Sequence, residues 1–166
     1  MLFRSELKSA NTLQTGIGVV DMKKILSQST AYQSIVEQFE DIRRKHRNTF
    51  TKQEDVIRDE ESNLLKQKNI ISKEAYADKV KQLNQKINEL KSKQASDAKK
   101  FENDFEKSTN KIQGALVDVL SMIAGKKGLD LVLAKSQVLL VGKEIDITDQ
   151  AIQELNKVLP KISLKK

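Results

Sequence analysis

SKEAYADKVKQLNQKINELKSKQASDAKKFENDFEKSTNKIQGALVDVLSMIA, residues 72–124, carries Tyr76, Val80, Leu83, Ile87, Leu90, Phe101, Phe105, Ile112, Leu116, Val119 and Ile123 mostly at steps of three and four. Gln94 and Ala98 continue the row across its weakest part. This is coiled-coil spacing, and it predicts one long amphipathic helix with a narrow apolar seam. Upstream, the chain from Val19 to Gln113 holds neither proline nor glycine, about 95 residues without a backbone breaker. A second long helix is therefore expected before this one.

That first helix spans about 31–70, with Ile35, Phe39, Ile42, Phe50, Val56, Ile57 and Leu64 near a 3.5-residue spacing. Its seam is interrupted where His46, Gln53 and Glu60 occupy positions that ask for apolar residues. The break between the helices falls at Asn69-Ile70-Ile71-Ser72. Ser72 is placed to cap the second helix, with Ile71 and Tyr76 at the two positions of a hydrophobic staple. Folding back there pairs Ile42 with Phe101 and Phe39 with Phe105, and brings Leu64 near Leu83. An arm of about 40 residues is on the order of 60 Å long.

The flanks are β-rich. Ile17–Met22 reads as a strand with apolar or small residues on both faces, followed by a short helix over about 23–28. Gly125 and Gly128 end the second arm, with Lys126 and Lys127 against the helix dipole. Two further strands are expected, one with Leu129, Leu131 and Leu133 in alternation, the other over Val138–Val141 after a Lys135-Ser136-Gln137 turn. Thr148 is the expected cap of a last helix with Ile152, Leu155, Val158 and Leu159 on its apolar face. The expected organisation is a disordered arm or expression remnant over 1–16, a β-rich body from 17–30 and 125–166, and a helical hairpin over 31–124 with its tip near 69–73. The fold class is α+β, mainly α, with the hairpin projecting from a small β body. Three short strands and one helix make a marginal core for one chain. Apolar residues on both strand faces, namely Ile17, Val19, Val20, Leu129, Leu131, Leu133, Val138 and Leu140, predict that copies associate through the body.

Composition narrows the function. Apolar content is 38 %, aromatic 4 % and charged 32 %, which suits long helices better than one thick core. Absence of cysteine removes disulfides and thiol chemistry, and the single histidine leaves no set for a zinc site or nucleophile dyad. Neither a phosphate-binding loop nor a dinucleotide fingerprint is present. The reading is a non-enzyme that uses no cofactor. No apolar run approaches a membrane span, and residues 1–16 lack a signal-peptide core. The chain is thus expected to be cytoplasmic or to have lost a leader. Net charge is +7 with a pI near 9.5, a surface that attracts anionic partners or serves solubility alone.

Three constellations remain. Arg43, Arg44, Lys45 and Arg47, with His46 and Lys52, form the densest basic run, and hairpin pairing sets them beside Lys91, Lys93, Lys99 and Lys100. This is either an anion-binding belt or a solvated face with intrahelical partners such as Glu40 and Asp41. Ile70, Ile71 and Tyr76 make an apolar tip among lysines, a candidate client contact that the staple also explains. Phe39, Phe50, Phe101 and Phe105 read as seam packing rather than as a base-stacking surface.

The opening IGVVDMKKIL, the gap-free helical middle, the LDLVLA…VLLVG segment and the closing DIT-plus-helix together resemble the Skp/OmpH family of periplasmic chaperones across about 17–160. Prefoldin-like chaperones place coiled-coil ends around a central β segment, the reverse order. The resemblance implies a homotrimer with a β-barrel-like body and three tentacles around a cavity. It further implies ATP-independent holding of unfolded outer-membrane β-barrel proteins in the periplasm. A basic surface near anionic lipid or lipopolysaccharide would aid capture, with Arg43, Arg44, Lys45, Arg47, Lys99 and Lys100 as candidates. The alternatives are a structural coiled-coil adaptor and a basic nucleic-acid or polyanion binder. The second lacks a binding module, so nucleic acid is not an expected partner.

Overall fold

The computed structural model describes residues 15–164, so the expected arm over 1–16 lies almost wholly outside the described residues. Its elements in chain order are β1 (Ile17–Val20), α1 (Met22–Gln28), α2 (Thr30–Gln67), α3 (Lys73–Lys127), β2 (Leu131–Ala134) and α4 (Thr148–Val158). They form two compact units. Among the described residues the first joins 15–29 with Ala115–Val158, and the second joins Thr30–Gly114 with 159–164.

In the second unit α2 and α3 pair as a hairpin whose helices run 38 and 55 residues, so one helix belongs to both units. The turn follows the chemistry of its sequence. The amides of Ile70 and Ile71 both donate to the Gln67 carbonyl, and the Ala75 amide donates to Ser72 Oγ at 3.2 Å, capping α3. Register is fixed by cross-helix pairs: Phe39 and Phe105 rings lie 5.0 Å apart, and Lys86 Nζ sits 2.8 Å from Glu60.

In the first unit β1 and β2 are parallel, with Ile17 opposite Leu131 and Val20 opposite Ala134. Parallel strands need a long crossover, and here the whole run α1–α2–α3 supplies it. The opposite edge of β1 is also used: Val19 bridges Asp146, and the Ile147 amide donates to the Val19 carbonyl at 2.9 Å. β1 is therefore central, with Gly18, Val19 and Val20 buried. Around it are the buried residues Ile25, Leu116, Val119, Ile123, Ile147, Ala151, Ile152 and Leu155.

Four expectations change. Val138–Val141 is not a strand: Lys135–Gln137 is a short 3₁₀ turn and residues 138–142 have no ladder partner. The β2 segment pairs in parallel with β1, and the 3₁₀ turn after it does not return residues 138–141 to the free edge of β2. Gly125 lies inside α3; only Gly128 ends it, at φ +64°. The Leu129 amide there donates to the Ala124 carbonyl at 2.9 Å, closing a Schellman motif. Thr148 is the first residue of α4 rather than its cap. Its hydroxyl accepts from the Asp21 amide at 2.9 Å, while Asp146 Oδ1 accepts from the Thr148 amide at 3.0 Å. Finally, residues 159–164 group with the hairpin unit, not with the β unit.

Candidate functional site

The hairpin's polar seam positions decide its surface. A seam between two helices holds only where both contribute apolar residues of matching size. At Gln53 and Glu60 that condition fails, and a cleft of about 440 Å³ opens there, with Val56, Ile57 and Leu90 as its apolar wall. Lys52, Lys86, Glu89 and Lys93 rim it with mixed charge. A second cleft of about 300 Å³ is lined by His46, Phe50, Gln94 and Phe101. Further along, Glu60, Leu64, Gln67 and Leu83 line a third of about 250 Å³. The interruptions legible in the sequence are therefore places where clefts open beside apolar residues of the seam.

His46 is held between aromatic rings. Its imidazole stands edge-on to Phe101 at 4.4 Å and lies 6.0 Å from Phe50, and Nδ1 is 3.6 Å from an Asp97 carboxylate oxygen. Nearer the start of α2, Tyr32 joins the cluster at 6.3 Å from Phe105, an addition that seam spacing did not single out. Another cavity, of about 360 Å³, lies among Phe39, Ile42, Phe101 and Leu164.

The basic run divides. Arg43 and Arg44 pair with Glu40 and Asp41 one turn back, and the Arg43 guanidinium also lies 5.9 Å from the Phe39 ring. Lys45 and Lys100 line the 360 Å³ cavity together with Asp104, whereas Arg43 and Arg47 line the 300 Å³ cleft together with Glu54 and Asp97. Lys99 is exposed and lines none of these four spaces. At the tip Ile70 is 79 % exposed while Ile71 and Tyr76 are half-buried, so Ile70 is the apolar residue offered to solvent.

Residues expected to form an association surface also divide. Val19 and Val20 are buried within their own chain, and Leu129, Leu133 and Val138 are half-buried. Ile17, Leu131 and Leu140 are exposed, and Leu139 beside Leu140 is fully so. The outer edge of β2 has no strand partner among the described residues.

Electrostatics in the β unit is structural. Asp146 is held below the usual carboxylate range, first by the Thr148 hydroxyl, then by the Thr148 amide and Lys135, against a smaller opposing effect of burial. Glu154 is lowered by its hydrogen bond to Lys157, and Lys24 is raised by its 2.7 Å bond to Asp149. Among the described residues no cluster of histidine and carboxylates could hold a metal ion, and no helix is long and apolar enough to cross a membrane.

Sequence reasoning missed the partners of the final segment. Gln38 and Ser34 bond the main chain at Ile162 and Leu164, more than a hundred residues away, and no local pattern encodes that. The Asp21 cap of α1 was within reach, because an aspartate stands directly before the helix and accepts from the Lys24 amide at 2.9 Å.

Residues 16–155 match the family described as outer membrane protein (OmpH-like). No curated protein sequence matches. Among solved structures, the chain is similar to one described as an OmpH-like outer membrane chaperone from Caulobacter crescentus, with a TM-score of 0.86 and 16 % identity over 92 % of this chain and 90 % of that one. At that identity the likeness establishes the fold.

Proposed function

Because the chain belongs to the outer membrane protein (OmpH-like) family, we propose that it is an ATP-independent holdase that keeps unfolded outer-membrane β-barrel proteins soluble in the periplasm. The observation that carries this reading is the row of open clefts along the hairpin at Gln53, Glu60, His46 and Gln94. The first two offer apolar side chains within a charged rim, and the third, around buried Leu64 and Leu83, is mainly polar. Many such weak contacts hold an unfolded chain without fixing one conformation, and release it without fuel. The mixed rims keep the arm itself soluble.

Assembly into a homotrimer is part of the proposal. Exposed Ile17, Leu131, Leu139 and Leu140 lie in a unit with an unpaired β2 edge, and such an edge and patch call for cover by another copy. Capture is assisted by Lys45, Arg47, Lys99 and Lys100, whose charge draws acidic clients or an anionic lipid surface; Arg43 and Arg44 contribute less, being paired.

The test is dilution of a urea-unfolded outer-membrane barrel protein into the purified chain without nucleotide, followed by light scattering and sedimentation velocity. The expected result is suppressed scattering and an elongated three-chain particle that carries the client. Aggregation at the rate seen without the chain would reject the holdase reading and favour a coiled-coil adaptor. Neutralising Arg43, Arg44, Lys45 and Arg47 together should slow capture at low salt and leave it nearly unchanged at high salt. An unchanged low-salt rate would remove the electrostatic component.

A further inference from the structure

The segment after α4 lies in a groove of the hairpin unit, and the way it is held shows what that groove recognises. Residues 161–164 are not helical, and their burial alternates: Lys161 and Ser163 are exposed, Ile162 is buried and Leu164 half-buried. Gln38 bonds this segment twice through its main chain. Its Nε2 donates to the Ile162 carbonyl at 2.7 Å, and its Oε1 accepts from the Leu164 amide at 3.1 Å. Presenting the C=O of one residue and the N–H of the next-but-one on one side is the pattern of a β-strand. The Gln38 amide thus stands in for the N–H and C=O that one residue of a neighbouring strand would present. The same Nε2 lies 2.9 Å from the Ser34 carbonyl, which holds the amide in place on α2.

Three observations separate this from a simple latch. Recognition runs through backbone groups common to all residues, so it selects alternation rather than a particular sequence. Leu164 lines a cavity of about 360 Å³ together with Phe39, Ile42 and Phe101, so the segment ends, among the described residues, against an apolar space. Lys45, Lys100 and Asp104 line the same cavity and give its apolar wall a charged border.

We propose that this groove is a binding site for a strand-like segment of unfolded polypeptide with apolar residues at alternate positions, and that residues 161–164 occupy it as a built-in competitor. The proposal rests on the holdase reading. Strands of outer-membrane barrels carry this alternation along their length, and their apolar side chains suit the cavity that Phe39, Ile42, Phe101 and Leu164 line. Client and tail then exchange at one site, so apparent affinity depends on the fraction of chains with the tail displaced.

The probe is a fluorescein-labelled peptide of about ten residues, one barrel strand in length, with leucine and isoleucine alternating with serine and lysine. A peptide of the same composition with its apolar residues in one block is the control, and binding to the full chain is read by anisotropy. Ile162→Ser combined with Leu164→Ser should free the groove and tighten binding of the alternating peptide by about tenfold. Adding Gln38→Ala to that background should weaken it by about tenfold, as expected for the loss of two hydrogen bonds. Affinity unmoved or weakened by the tail substitutions would overturn the competitor, and affinity indifferent to Gln38 or to peptide pattern would overturn the groove. Light scattering with the unfolded barrel protein is run on the same samples. Suppression that persists through either failure leaves the holdase reading standing with clients bound elsewhere, whereas no suppression by the parent chain removes that reading itself.

Discussion

Between Ile112 and Ile123, α3 buries Ile112, Leu116, Val119 and Ile123 to 2 % exposure or less. Between Tyr76 and Phe105 the same helix, at the same three-and-four spacing, buries only Leu83 and leaves Val80, Ile87, Leu90, Phe101 and Phe105 half in water. Periodicity alone does not separate the two stretches; what differs is the number of surfaces facing the stripe. Leu116, Val119 and Ile123 share a unit with a sheet and two further helices, whereas the outer stretch has α2 for a partner and meets polar residues at several of its layers. A two-helix seam leaves its flanks open, and those flanks are the surface that the proposed function uses.

The largest expected effect tests that contrast directly. Leu116→Ala or Ile123→Ala should cost about 2–5 kcal/mol, as for other large-to-small changes in a closed core. Ile87→Ala or Leu90→Ala should cost about 1 kcal/mol, because a half-wet side chain loses less on truncation. Urea melts followed by circular dichroism give both numbers, and equal costs would erase the distinction. Two glycines sharpen it within one helix end. Gly128→Ala forces a side chain into the left-handed region and should destabilise by about 1 kcal/mol. Gly125→Ala, inside the helix with open space at its Cβ, should stabilise by about 0.5–1 kcal/mol.

Acid should act on the β unit before the hairpin. Asp146 has its pKa lowered by folding, so its contribution is present above the ordinary aspartate value of 3.8 and is lost as pH falls through the depressed one. Asp146→Asn keeps an acceptor for the Thr148 amide but loses the charge facing Lys135, so it should cost less than about 1 kcal/mol at neutral pH, and its melts should then lack this part of the acid dependence. The smallest effect belongs to the hairpin's surface. Lys86→Ala removes an exposed pair with Glu60 and should change stability by less than about 0.5 kcal/mol, declining further in salt.

The helices and their turn were legible because each rests on local signals: a stripe of apolar residues, a serine cap and a missing breaker. The Phe39–Phe105 register followed from counting out from Ser72. Strand order was not legible, because Val138–Val141 carries β-branched and leucine residues whose propensity is satisfied only if a partner edge exists. Which edge β2 joins is settled by a crossover of more than a hundred residues, beyond any local pattern. The role of the Thr148 hydroxyl was hidden for the same reason, since it accepts from the Asp21 amide, 127 residues away in the chain. The clefts were half legible: His46, Gln53, Glu60 and Gln94 stood out as defects in a stripe, but only the paired helices show that the defects open onto apolar walls.

Hydrogen–deuterium exchange along α3, with and without an unfolded outer-membrane barrel client, tests the central claim most directly. Amides over 112–123 should exchange slowly in both states, and amides over 80–105 should exchange faster alone and slow on client addition. Uniform protection along the free helix, or client protection confined to 112–123, would contradict the account.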